Sequence, residues 1–223
     1  MKKKTILSLD SSYNSCSVAL QINKKLDFIF DKCENNYEEK IFPMIKKIIK
    51  RNYITPYNLD IIAYSNGPGS FSGIRLSASI SQSFFFNKKV QLISISSLKI
   101  IAENCWKKYK KKKLIILIKK KNKNFFYGKY YRKKNGIWKK KNSEKLINIK
   151  EVIRKILKCK NITISGNFCK KELKKELYKK KYKIKICYFL IKFPNAKYTI
   201  SIVKKILKNT VYRKNLEKKL LYL

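Results

Sequence analysis

The chain contains no histidine. Imidazole is the commonest general base and the commonest metal ligand, so a His-containing triad, a HExxH zinc site and a His-ligated iron centre are all excluded. Acidic residues are scarce, 13 Asp and Glu among 223 residues. They are too scattered to nominate an acid–base pair. Arginine is scarce as well: only Arg51, Arg75, Arg132, Arg154 and Arg213 stand among 56 basic residues. The cysteines at 16, 33, 105, 159, 169 and 187 include no CxxC pair and have no His to complete a zinc set. They read as reduced, mostly buried small hydrophobes. No apolar run approaches the roughly 20 residues that cross a bilayer. The first one, Thr5–Leu9, is broken by Asp10 too early for a signal-peptide core of about 7–15 residues. These absences predict a soluble, cytoplasmic protein that binds no metal itself and no membrane.

What the chain has in abundance is lysine: 51 of them, for a net charge of +43. Recognition of phosphate or bases usually recruits arginine, whose planar fork makes bidentate contacts. Here lysine rises together with Ile, Asn, Tyr and Phe, all encoded by AT-rich codons. Compositional drift accounts for that pattern, and most lysines then read as solvated surface. Non-specific RNA affinity follows from the charge in any case, through counterion release. With 44% hydrophobic and 13% aromatic residues the chain can bury a core. At about 100–200 residues per domain, its length allows one large domain or two small ones.

Thr5–Leu9, Cys16–Ile22 and Leu26–Asp31 read as three strands of an antiparallel meander. A helix follows, with Asn35 or Asn36 as N-cap. Ile41, Met44, Ile45, Ile48 and Ile49 form one stripe along it, at i, i+3, i+4, i+7 and i+8. Pro43 inside the stripe predicts a kink or a late start. Asp60–Tyr64 reads as a buried strand, followed by a glycine-rich loop and a helix to about Phe86. Val90–Ser94 is a strand, and Ser96 or Ser97 caps a helix to about Trp106. The run Lys107–Lys113 is a charged break. Beyond it, strands at Leu114–Ile118, Phe125–Arg132 and Ile137–Lys140 precede a helix at Glu151–Leu157 and a strand at Ile162–Ser165. A helix at Lys170–Tyr178, a strand at Ile184–Tyr188 and a helix at Asn195–Leu207 complete the order. The second half partly repeats the first, which predicts a duplicated α/β architecture of mixed sheets with helices packed on them.

The most specific local pattern is Asn66-Gly-Pro-Gly-Ser-Phe-Ser-Gly-Ile-Arg75, between a strand and a helix. Glycines there allow close backbone approach, and free amides at a helix N-terminus attract anions. The spacing is neither a Walker loop nor GxGxxG. A tight turn with Ser70 as N-cap explains it equally. Arg75 lies in the first turns of that helix, where the macrodipole disfavours a cation by roughly 0.3–1 kcal/mol. A carboxylate or phosphate partner would offset that cost. Gly73, Ser77 and Ser81 recur every four residues as a ridge of small side chains, suited either to a partner helix or to the protein's own sheet. A second candidate is Asp10-Ser11-Ser12, a carboxylate at a strand end with hydroxyls in the hairpin. Actin-like ATPases begin their phosphate loop in this way, usually as D-x-G-[ST]. Here Ser12 occupies the Gly position, and Asp10 can equally cap the turn.

LSLDSSYNSCSVAL at residues 7–20, NNYEEKIFPMIKKII at 35–49 and above all NGPGSFSGIRLSASISQ at 66–82 resemble the TsaB (YeaZ) family. NGIW, SGN and Val211-Tyr-Arg-Lys-Asn215 continue the likeness. It is dense over about residues 5–105 and thin but collinear afterwards. The resemblance implies a duplicated actin/Hsp70-like (ASKHA, RNase H-like) fold: an N-terminal subdomain, 1–106, that binds the partner, and a degenerate C-terminal one, 107–223. The final helix is free to pack back on the first half. It further implies a scaffold role in making N6-threonylcarbamoyladenosine (t6A) beside the anticodon of tRNAs that read A-starting codons. The subunit would have no catalytic site or cofactor of its own. It would bind the catalytic paralogue TsaD and work with the ATPase TsaE, in a complex that uses ATP and threonylcarbamoyl-adenylate. Metal and paired histidines belong to TsaD.

The interface implied for TsaD comprises Ile41, Met44, Ile45 and Ile48 on one helix. Ser70, Phe71, Gly73, Ile74, Arg75, Ser77 and Ser81 supply the other, in a four-helix bundle. A homodimer through the same helices is the alternative pairing. Asp10, Ser11, Ser12, Gly67 and Gly69 would be a vestigial phosphate loop. The chain departs from the family at Tyr37, where a His is usual, and at Ile118-Lys-Lys-Lys121 and Asn124, where an I-D-A-R pattern with a following Glu is usual. Two other readings stand beside this one: an actin-like nucleotide hydrolase using Asp10 and the 67–73 loop, and a basic RNA-binding module acting through its lysines.

Overall fold

The computed structural model describes residues 4–34, 36–84, 90–120, 122–159, 161–178 and 185–209. The alternative cap Asn35, the helix end at Phe86 and the 211–215 segment lie outside them. The chain divides into two compact units, residues 1–103 with 194–223, and residues 104–193. The second opens three residues before the lysine run, and the final helix belongs to the first.

In the first unit, β1 (Ile6–Tyr13), β2 (Ser15–Ile22) and β3 (Lys25–Lys32) form the antiparallel meander. After α1 (Tyr37–Arg51), β4 (Ile61–Ser65) pairs parallel to β1. After α2 (Phe71–Ser83), β5 (Gln91–Ile95) pairs parallel to β4, giving the order β3-β2-β1-β4-β5. β1 and β2 are buried almost throughout because both faces of the sheet are covered. On one face, α1 presents Tyr37, Ile41, Met44, Ile45 and Ile48 to Leu7, Leu9, Val18 and Leu20. On the other, Ile6, Ala19, Ile61 and Ile93 meet α6 (Ala196–Lys208) through Ala196, Ile200 and Val203. A fully buried aliphatic side chain contributes about 1.5–3 kcal/mol, so the α1 stripe is a large share of this core.

α1 begins at Tyr37, ahead of Pro43, so the late start does not occur. Burial of Tyr37 and Ile41 holds the first turns, while Pro43 lies on the exposed side. Asn36 is the N-cap, but its side chain makes no capping bond. Arg51–Asp27 and Lys40–Asp31 ion pairs tie α1 to β3.

The second unit repeats the path. β6 (Lys113–Lys119), β7 (Asn124–Arg132) and β8 (Trp138–Lys140) are antiparallel; β10 (Asn161–Asn167) and β11 (Lys185–Leu190) add parallel to β6, in the order β11-β10-β6-β7-β8. α4 (Ile149–Leu157) and α5 (Lys170–Tyr178) connect them. Val152, Ile153, Ile156 and Leu173 close a core over Ile115, Leu117 and Phe125. One strand goes beyond the sequence pattern, β9 (Lys145–Asn148), which pairs with β7. It is short, and its Leu146–Ile147 run merges in sequence with the apolar stripe of α4. The helix between the units is α3 (Ser97–Tyr109). Each half therefore follows βββαβαβα in order, with β9 added before α4 in the second. Among the described residues no helix is long and apolar enough to cross a membrane. All six cysteines are free; Cys16, Cys33 and Cys105 are buried, whereas Cys169 is exposed, so the set is less uniformly internal than its composition predicts.

Candidate functional site

β1 does not end at Asp10. It continues through Ser11 and Ser12 to Tyr13, with a bulge between Asp10 and Tyr13, and only Asn14 separates it from β2. The hydroxyls expected in a hairpin are strand residues, buried because α2 and its preceding loop lie on them. Ser70 donates its amide to the Ser12 carbonyl at 2.7 Å. Ser11 donates its hydroxyl to the Gly73 carbonyl at 2.7 Å, and the Ser11 and Ser77 hydroxyls are 2.7 Å apart.

Gly69 and Gly73 make this approach feasible. A Cβ on Gly69 would run into the Ser12 carbonyl oxygen, and one on Gly73 into the Ser11 carbonyl oxygen, both far inside van der Waals contact. The ridge of small residues therefore faces the protein's own sheet. Gly73, Ser77 and Ser81 are buried there, and Ser81 donates its hydroxyl back to the Ser77 carbonyl at 2.7 Å. Ile41, Met44, Ile45 and Ile48 are likewise buried against β1 and β2. Within this chain the contacts of these seven residues are internal.

Asp10 sits beneath this junction, fully enclosed. Its Oδ1 accepts from the Ser12 amide at 3.0 Å and the Ser12 hydroxyl at 2.8 Å. Ser97 donates to the Ser12 hydroxyl at 3.1 Å, and Ser65 lies 3.3 Å from Ser97. Oδ2 is buried without a hydrogen-bond partner among the described residues. Burial pushes the Asp10 carboxyl up to about 6, against the pull of the Ser12 bonds. The five residues of the proposed phosphate loop do come together, since Ser97 also donates its amide to the Gly67 carbonyl at 2.7 Å. The contacts differ from a phosphate cradle, however. The Ser12 and Ser70 amides are spent on Asp10 and on Ser12. Among the described residues, no three Cys, Asp or Glu side chains gather as a metal set.

The accessible part of the region is the outer side of the same two helices. Phe71, first residue of α2, is 69% exposed, and the Arg75 guanidinium lies 3.8 Å from its ring centroid. A cation–π contact thus engages Arg75 within its own helix. Ser70 and Ile74 are half-buried. Asn36, Tyr37, Glu38, Glu39, Ser72 and Leu76 line a shallow depression of about 210 Å³ between the starts of α1 and α2. On α1, Phe42 is 53% exposed. Sequence reasoning missed Phe42, although a signal exists: it is a large apolar residue one position off the stripe that the core consumes.

This geometry, a carboxylate at a buried bulge under a glycine-rich strand–loop–helix, can be set beside known proteins. A family model described as TsaD, tRNA N6-adenosine threonylcarbamoyltransferase, matches residues 31–215. The tRNA threonylcarbamoyladenosine biosynthesis protein TsaB of Buchnera aphidicola subsp. Baizongia pistaciae is 33% identical over 95% of this chain and 92% of its own length. The TsaB of Buchnera aphidicola subsp. Schizaphis graminum is 36% identical over 86% and 89%. That of Escherichia coli is 28% identical over 64% and 62%. The solved structure of YeaZ from Pseudomonas aeruginosa has the same fold, with a TM-score of 0.76 over 90% of this chain and 91% of that one, at 18% identity. The sequence likeness spans both units and includes the loop that packs on β1, and on that ground the chain belongs to the TsaB family, within the broader family of TsaD.

Proposed function

We propose that this chain is a non-catalytic subunit of the machinery that makes N6-threonylcarbamoyladenosine in tRNA, and that it binds and supports TsaD. One observation carries the reading: the chain matches the transferase family model over most of its length yet contains no histidine. A His-containing triad or an imidazole-bound metal has no residues to build on. The buried carboxylate beneath the glycine-rich loop, Asp10, is engaged by Ser12.

The surface for TsaD is the outer face of α1 and α2, with Phe42, Phe71, Ile74 and Arg75 as contacts. Exposed aromatic residues beside an arginine are the usual anchors of a protein interface. TsaE, ATP and threonylcarbamoyl-adenylate enter through the assembled complex, in the cytoplasm.

Co-expression with the cognate TsaD tests this. The two chains should co-purify as a complex, and the isolated subunit should transfer no threonylcarbamoyl group to tRNA. Transfer by the subunit alone, abolished by a chelator, would overturn the assignment.

A further inference from the structure

Strand register brings two thiols together in the first unit. Cys16 stands opposite Asp31 in the β2–β3 ladder, and Cys33 lies two residues beyond Asp31. Side chains alternate along a strand, so all three share the face on which α1 packs. The ladder runs one step past β3, where the Cys33 amide donates to the Asn14 carbonyl at 3.3 Å. The Cys16 and Cys33 sulfur atoms lie 3.6 Å apart, in direct contact. Both thiols are free, at 0% and 4% exposure. Among the described residues no other pair of cysteines makes such a contact.

The pair also supports the start of α1. The Cys16 thiol lies 3.6 Å from the carbonyl oxygen of Tyr37, the first helical residue. The Tyr37 ring reaches toward α2, since a Cβ added at Gly73 would stand 3.4 Å from it. Cys33 occupies the short connection from β3 to α1, whereas Cys16 is fixed inside β2. A disulfide holds its sulfur atoms about 2.05 Å apart. Closing one here therefore draws Cys33 inward by roughly 1.5 Å and removes the S–H that faces Tyr37.

We infer that Cys16 and Cys33 form a dithiol–disulfide couple whose closure shifts the start of α1 and weakens TsaD binding. The couple stands on the thiol geometry alone; its effect on TsaD rests on the surface proposed above for α1 and α2. A small disulfide such as oxidised glutathione is the oxidant. The Cys33 thiolate, nearer the surface, attacks one of its sulfurs, giving a mixed disulfide and one glutathione thiolate. Cys16, after losing its proton to solvent, attacks the Cys33 sulfur and expels the second glutathione thiolate. Two electrons thus pass to glutathione, and the two thiolates released take up the two protons. Burial pushes both thiols above the ordinary cysteine range, so exchange is slow and the couple is read at equilibrium.

The test uses the full chain carrying Cys169→Ser, which removes the exposed thiol. It is held in glutathione buffers from reducing to oxidising, at mildly alkaline pH, until its mass no longer changes. The oxidised chain should lose the mass of two hydrogen atoms. Trypsin should then release residues 5–24 joined to residues 33–40, a species that dithiothreitol splits. Hydrogen exchange over residues 37–40 should change by about threefold or more. Affinity for TsaD should fall by about threefold or more and recover on reduction. Cys33→Ala and Cys16→Ala each leave one thiol alone, and either variant, once oxidised, should bind TsaD as its own reduced form does. Two free thiols at the oxidising limit, or glutathione retained on Cys33, would overturn the couple. A bond that forms without changing exchange or affinity would overturn the shift of α1. Failure of the reduced chain to bind TsaD would sink the subunit reading instead, and mass and exchange on the free chain would still decide the couple.

Discussion

The two units share one strand path and spend it differently. In the first, the strand order β3-β2-β1-β4-β5 surrounds a β1 that carries Ser8, Asp10, Ser11 and Ser12, all buried. In the second, β8-β7-β6-β10-β11 surrounds a β6 whose Leu114–Ile118 is wholly apolar. One device recurs in both: at the end of the strand after the first crossover helix a glycine lets backbone press on the central strand, from the following loop in the first unit and from within β10 in the second. In the second unit this is Gly166, with φ +127°, where an added Cβ would run into the Leu117 carbonyl oxygen. Close backbone approach is thus a property of the fold, whereas the buried Asp10–Ser12 cluster and exposed Phe71 belong to the first unit. The second unit's distinction is its charge.

The sharpest way to break this comparison is to put a side chain where the fold admits none. Gly73→Val should cost about 3 kcal/mol or more, because the obstacle is backbone of β1 that cannot swing aside. Gly166→Ala should be comparably severe, through both contact and φ. Urea unfolding followed by circular dichroism measures both. A loss below about 1 kcal/mol at either position would show that the close approach there is not tightly packed.

Asp10 sharpens the polar half of the contrast. Its folded carboxyl titrates at about 6 against an ordinary 3.8. Between those values the folded state holds more protons than the unfolded chain, so this group's contribution to stability falls as pH rises. It is fully present below about 3.8 and lost above about 6. The shift corresponds to at most about 3 kcal/mol. Relative to the wild type, Asp10→Asn should gain stability as pH rises from about 4 to about 7, with a parallel profile above that range. Profiles that stay parallel throughout would show Asp10 to be ionised in the fold.

Much of this architecture could be read from residue pattern. The meander, the α1 stripe and the glycine loop each follow from local spacing, and the repeat follows from their order. What could not be read were choices made by distant neighbours. Ser11 and Ser12 look like hairpin residues until α2 supplies the Gly73 carbonyl and the Ser77 hydroxyl that satisfy Ser11. For the same reason the ridge Gly73-Ser77-Ser81 suits two partners equally in sequence. Arg75 finds an aromatic ring four residues back. β9 is too short for its own periodicity to separate it from α4.

Two further substitutions distinguish the inner from the outer side of α2. Ser77→Leu should lower the stability of the free subunit by about 1–3 kcal/mol, since it overpacks a buried site and removes the Ser11 contact. Thermal unfolding reads this directly; an unchanged midpoint would place Ser77 on an open face. Phe71→Asp should do the reverse. It should change stability by no more than about 0.5 kcal/mol, as expected for an exposed position. It should weaken TsaD binding at least tenfold, measured by titration calorimetry. Undiminished binding would remove α2 from the interface.

The most direct test of the subunit reading is reconstitution of t6A formation on an unmodified tRNA transcript, with TsaD and TsaE supplied and this chain added or withheld. The account predicts modified tRNA when the chain and TsaD are both present, little or none without the chain, and none from the chain alone. Modification that proceeds equally well in its absence, or that the chain carries out without TsaD, would contradict it.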